Sequence, residues 1–91
     1  MTENDPFDVP IEDHLDLHAF SPRDVPDVVA EYLEVAWLKG FREVRLIHGR
    51  GIGVQRALVH RVLRAHARVV SFRDAPDAHL GATIAVLAES E

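Results

Sequence analysis

The 91-residue chain has no cysteine. This removes disulfide staples, thiolate metal sites and a cysteine nucleophile together. It also fits a reducing compartment, and a cytoplasmic protein is expected. No apolar run approaches the roughly 18 residues that a membrane-spanning helix requires, so no membrane contact is expected. The N-terminus lacks a basic region followed by an apolar run, so no signal peptide is expected. Aromatic residues make up only 7% of the chain. Trp37 and Phe72 read as packing residues, which leaves no aromatic series to serve as a base-stacking platform. Lysine is nearly absent, Lys39 being the exception among ten basic residues.

What is present describes one small folded domain. A hydrophobic fraction of 47% supports a core, and the length allows one sheet with two or three helices. Net charge is −5, but it is unevenly spread. Eight arginines and a single acid, Glu43, lie between Arg42 and Arg73, a local charge of +7 against −12 elsewhere. Arginine grips phosphate in two-point contacts that lysine does not make. Residues 1–10 are acidic and contain two prolines. They read as a flexible tail, and residues 11–91 as the single domain.

Periodicity supplies the elements. His14-Leu15-Asp16-Leu17-His18 alternates as a half-buried strand. A helix is expected from Asp24, as N-cap, to about Lys39, with Gly40 as its stop. Its buried stripe is Val28, Val29, Tyr32, Leu33 and Ala36, opposite an acidic face of Asp27, Glu31 and Glu34. A strand over 43–48 leads into the run His48-Gly49-Arg50-Gly51-Ile52-Gly53, followed by a helix over 54–66 with Leu58, Val59, Val62 and Leu63 inward. Arg56, His60 and Arg64 share another face, beside Arg61 and Arg68. Strands over 69–73 and 82–87 flank a loop at 74–81. The order is βαβαββ. Right-handed crossovers make the first three strands parallel and the last pair antiparallel: an α/β two-layer sandwich, a mixed four-stranded sheet with two helices.

Ligands on such sheets gather at the carboxyl ends of the parallel strands. His18, His48 and the loop bearing His79 are expected there, with the start of the second helix and its positive dipole end. The glycine loop departs from both the dinucleotide fingerprint and the P-loop pattern. Gly49, Gly51 and Gly53 allow backbone amides to approach an anion, and Arg50 adds a charged clamp, so phosphate is the expected guest. Asp16, two residues before His18, is placed to orient its imidazole. His14, His60 and His66 read as surface or partly buried residues.

Three motifs now stand in order: Leu15-Asp16-Leu17-His18, His48-Gly49-Arg50-Gly51 and Gly81-Ala82-Thr83-Ile84. Together they resemble the Smr, or small MutS-related, domain over roughly residues 12 to 88. The resemblance implies a fold similar to the C-terminal domain of a bacterial translation initiation factor, and nucleic-acid endonuclease activity on DNA or RNA. It assigns binding and cleavage to Asp16, His18, His48, Gly49, Arg50 and Gly51. Two departures stand out. Ala19 replaces the usual glycine after the first-motif histidine, and His79-Leu80 occupy a segment that is richer in glycine in the family.

The expected chemistry is phosphodiester cleavage. Asp16, His18 and His48 form the catalytic set. Gly49, Arg50, Gly51 and Gly53 bind phosphate, and Arg56 and Arg64 track the backbone. His79 and Thr83 are further candidates. RNA is slightly favoured, because its own 2′-OH can attack and two imidazoles with a phosphate clamp then suffice. No metal ligand or cofactor is required, though cutting DNA would call for a divalent ion held by Asp16, Asp74 and Asp77. A monomer is expected, with nucleic acid as partner and a ribosome or another nucleic-acid-bound protein as the further candidate. The alternative is a non-catalytic nucleic-acid or ribosome binding module of the same fold.

Overall fold

A computed structural model describes residues 11–89; the acidic tail expected at 1–10 lies outside them. The order is β1 (His14–Asp16), α1 (Val25–Leu38), β2 (Glu43–Ile47), α2 (Val54–Ala65), β3 (Val69–Asp74) and β4 (Ala82–Leu87). The sheet order is β1-β2-β4-β3. β1 and β2 are parallel, and β4 runs antiparallel to both β2 and β3. The first three strands therefore share a direction, as expected, but β4 separates β2 from β3. Both crossovers step the same way across the sheet, so right-handedness sets both helices on one face, where they pack on each other.

α1 begins after Asp24, and Pro26 falls in its first turn, where a missing N–H costs nothing. The Asp24 carboxylate makes no cap bond and instead accepts from the Ser21 hydroxyl at 3.1 Å. The helix ends where Gly40 takes φ +90°. The Gly40 N–H then reaches the Trp37 carbonyl, and the Phe41 N–H the Ala36 carbonyl, each at 3.0 Å. Val29, Leu33 and Ala36 of α1, Val59 and Leu63 of α2, and Leu46, Ala85 and Leu87 of the sheet form the shared core.

Among the boundaries that differ from the periodicity reading, two shape the site. β1 stops at Asp16 rather than His18, because the chain turns there and the Phe20 N–H closes on the Leu17 carbonyl at 3.1 Å. β3 runs on to Asp74, which pairs in register with Thr83 of β4, so the loop begins at Ala75. The registers Asp16↔Ile47, Ile47↔Ala82 and Thr83↔Asp74 carry one line across the sheet. That line is the edge on which the candidate site is built.

Candidate functional site

β1 delivers Asp16 and His18 to this edge. One Asp16 carboxylate oxygen accepts the His18 backbone N–H at 2.9 Å and contacts the ring Nδ1 at 2.6 Å. The Asp-x-His spacing makes both contacts local, since an aspartate readily caps the amide two residues on. These contacts hold the Asp16 carboxyl below its ordinary range, the backbone N–H first and the ring next. A carboxylate only accepts, so Nδ1 carries the proton and, in the neutral ring, Nε2 keeps a lone pair. Nε2 lies against the glycine loop, where a Cβ built on Gly49 would sit 3.0 Å from it. Gly49 also has φ +82°. The backbone conformation thus favours glycine there, and any side chain would also press on the His18 ring. The His18 side chain itself is 65% exposed.

β2 delivers the loop. Its three glycines have positive φ and alternate with Arg50 and Ile52, which do not. Such alternation turns successive N–H groups toward one side and shapes an anion-binding concavity. Gly53 is the N-cap of α2 and offers no side-chain cap. Gly51 and Ile52 form a tight turn between Arg50 and Gly53, and among the described residues the N–H groups of residues 50–52 and 54–56 find no backbone acceptor. They surround a cleft of about 300 Å³ lined by His18, Arg50, Ile52, Val54 and Gln55. Free amides and the positive end of α2 favour an anion there.

Behind the loop runs a buried chain of hydrogen bonds. His48 is 5% exposed. Its Nδ1 lies 3.0 Å from the Gly49 carbonyl, and its Nε2 lies 2.9 Å from the Thr83 hydroxyl. His60 Nε2 lies 2.9 Å from the same hydroxyl. The directions follow from chemistry. A carbonyl only accepts, so Nδ1 of His48 donates. Burial pushes both imidazoles below their ordinary pKa, which keeps them neutral. The His48 Nε2 must then accept the Thr83 proton, and Thr83 must accept from the His60 Nε2–H. The chain reads His60 to Thr83 to His48 to the Gly49 carbonyl. In a planar trans peptide C=O and N–H point oppositely. Pinning the Gly49 carbonyl inward therefore turns the Arg50 N–H toward the cleft. The Gly81 carbonyl accepts from the His48 and Gly49 amides at 3.1 and 2.9 Å, which ties the loop to the start of β4.

The basic stretch is largely neutralised. Arg56 makes a two-point contact to Asp74 at 2.9 and 2.8 Å, which raises the guanidinium pKa and lowers that of the carboxyl. Arg45 holds Asp77 at 3.0 Å, Arg73 meets Glu43, and Arg42 meets Glu89. Arg68 pairs with Glu34 and stacks 3.6 Å over the Trp37 ring. Arg50, Arg61 and Arg64 have no carboxylate partner among the described residues. Also among these residues, no three His, Asp or Glu side chains converge as a metal site.

The Smr domain sequence model matches residues 15–88. The chain belongs to the Smr domain family. Its fold matches the crystal structure of the Smr domain of Thermus thermophilus MutS2 with a TM-score of 0.79 and 33% identity, over 85% of this chain and 99% of that one. It matches the crystal structure of YdaL, a stand-alone small MutS-related protein from Escherichia coli, equally well, with a TM-score of 0.79 and 25% identity, over 88% of this chain and 67% of that one. In sequence it is 41% identical over 80 residues to the Endonuclease MutS2 of Pelotomaculum thermopropionicum. That match covers 86% of this chain, which spans only about 10% of the relative's length.

Within this Smr domain, Asp16, His18, Gly49, Arg50, Gly51 and Gly53 meet at one cleft. His48 borders the cleft as well, but it is nearly buried and both its ring nitrogens are engaged within the protein. Thr83 is fully buried and links two imidazoles rather than facing the cleft. Arg56 faces Asp74, and Arg64 is exposed on α2. His79 is exposed on the loop before β4. Both His79 and Leu80 have positive φ, +48° and +69°, so the backbone keeps a shape that glycine favours. His60 joins the network unforeseen, and Asp74, expected as a ligand for a divalent ion, joins it as the partner of Arg56. The only advance signal for His60 was its place at the border of the α2 core stripe.

Proposed function

We propose that this domain binds the phosphodiester backbone of nucleic acid and cleaves it, RNA being the favoured substrate. One observation carries the reading: unpaired amides of a glycine loop surround the same cleft as an imidazole oriented by aspartate. The loop amides and Arg50 hold a phosphate and stabilise the charge that grows on its oxygens. His18 Nε2 takes the proton from the 2′-OH as that oxygen bonds to phosphorus and the bond to the 5′ oxygen breaks. The departing oxygen takes its proton from water, because the cleft is open. Asp16 holds the ring in the tautomer that leaves Nε2 free to take the proton. Burial supports a positioning role for His48 in place of the shared acid–base work expected at first. It holds the Gly49–Arg50 peptide with its amide in the cleft. This chemistry needs no metal.

A binding module that grips without cutting is the second reading, favoured by the wide exposure of Asp16 and His18. The two separate on one protein. His18→Ala should retain affinity for an end-labelled RNA and lose cleavage. Should wild type bind and never cut under any condition, the binding module stands and the enzyme falls.

A further inference from the structure

Among the described residues the fold leaves six large apolar side chains exposed: Phe20, Leu38, Ile52, Val54, Val70 and Leu80. Leu38 closes α1 and Val70 opens β3, both toward the amino ends of the parallel strands. Of the other four, Ile52 and Val54 belong to the glycine loop and the start of α2 at the opposite edge, and Phe20 and Leu80 lie in the chain segments next to it. Ile52 and Val54 line the cleft with His18 and Arg50. The Phe20 carbonyl meets the Gln55 side chain, which lines the same cleft. Leu80 precedes Gly81, whose carbonyl clamps the loop and which packs beside Arg50. Ile52 is 94% exposed. A Cβ placed on either flanking glycine, Gly51 or Gly53, would meet nothing within 4 Å, so the loop tip projects into open space.

Leaving such side chains in water is unfavourable, and their gathering at one site marks a contact surface. The cleft between them presents Arg50, free amides and the positive end of a helix, so its occupant is anionic. Nucleic acid joins a phosphate to a flat apolar base within one nucleotide. In a duplex the base faces are stacked and only the edges are open. Isoleucine, valine and leucine carry no polar atom with which to read the donors and acceptors of an edge, and in an intact duplex the thymine methyl is the one apolar group an edge offers them. A whole apolar face is open to them only where a base is unstacked.

We infer that the Phe20, Ile52, Val54 and Leu80 rim receives an unpaired nucleobase beside the bound phosphate, so that the domain acts on single-stranded segments in preference to duplex. This rests on the phosphodiester reading above. The test is an anisotropy titration of the full chain with labelled single-stranded RNA and DNA of one sequence and with their duplexes, at one fixed salt concentration. Single strands should bind about tenfold tighter than duplexes. Ile52→Ser, a change at an exposed loop tip, should weaken single-strand binding about tenfold and leave duplex binding unaltered. An effect confined to the RNA or to the DNA strand would identify which of the two the rim serves. Ile52→Ser without effect on single strands, or with equal loss on strand and duplex, overturns the inference and points to a protein surface as the partner of the rim. Arg50→Ala should weaken every substrate. If it changes none while Ile52→Ser still weakens single strands, the phosphate reading fails and the base contact survives.

Discussion

Thr83→Val replaces a buried hydroxyl by a methyl group of nearly the same size. The hydroxyl sits between two imidazoles, 2.9 Å from each. Its removal leaves the His48 Nε2 lone pair and the His60 Nε2–H without partners. An unsatisfied buried polar group costs about 1–3 kcal/mol. His48 is close to fully buried, so its share falls in that range. His60 retains 12% side-chain exposure and has the Asp74 carboxylate 3.9 Å away, so its share lies near the lower limit. The added methyl returns under about 1 kcal/mol. The variant should therefore be less stable by about 1.5–3 kcal/mol, seen as a lower urea midpoint with unchanged slope. For a domain of this size that corresponds to a fall in Tm of roughly 6–24 °C. A second readout isolates the hydrogen-bond chain. Imidazole ¹⁵N NMR should report neutral, Nδ1-protonated His48 in wild type and a mixture in Thr83→Val. His60→Gln, whose amide can still donate to Thr83, should keep the wild-type tautomer, and His60→Leu should not. A Thr83→Val protein within about 0.5 kcal/mol of wild type, with His48 unchanged, would refute the assigned directions.

Acid should destabilise the fold in two stages. Burial lowers the pKa of His48 and His60 below 6.5, so the unfolded chain binds more protons just below that pH. Stability is then full above about pH 6.5 and declines as the pH falls toward the folded-state values; urea midpoints across pH 5–8 check this, and His60→Gln should flatten the decline. Asp16 and Asp74 have lowered pKa values, so their contribution persists above about 3.8 and is lost only in stronger acid. Asp74→Asn should release Arg56 for phosphate, strengthening nucleic-acid binding at low salt and steepening the salt dependence by roughly one phosphate contact, about 0.7 in slope for a single strand. Leu80→Gly should stabilise the domain by about 0.5–1 kcal/mol, because relief of left-handed strain of about 1–2 kcal/mol exceeds the entropy cost of a glycine; an unchanged or lower urea midpoint would contradict it.

The features legible in the sequence were those set by neighbours along the chain. Alternation in His14–His18, the Asp24 to Gly40 helix signals and the alternating glycines each report local geometry, and all appear near their expected places. The Asp16–His18 pair was readable because two residues of separation suffice to make it. The strand order was not readable, since nothing local to β4 says that it inserts between β2 and β3. The same insertion sets Asp74 opposite Thr83 and so builds a network from residues of β2, α2, β3 and β4. The arginine stretch misled for a related reason. Arg45 meets Asp77 and Arg68 meets Glu34, each pair more than 30 residues apart, so a local charge count registered the cations without their partners. Arg56, His60 and Arg64 looked like one basic helix face. Only the packing shows His60 turned inward against Phe72, with ring centroids 4.8 Å apart.

The central claim is that His18 and the glycine loop cut RNA through its own 2′-OH. The most direct measurement is the chemistry of the ends left when purified protein acts on end-labelled single-stranded RNA in EDTA. The account predicts a 2′,3′-cyclic phosphate and a 5′-hydroxyl, no cut where a single 2′-deoxy nucleotide occupies the cleavage position, and loss of the product in His18→Ala. Ends bearing a 5′-phosphate, formed only when magnesium or manganese is supplied, would contradict it.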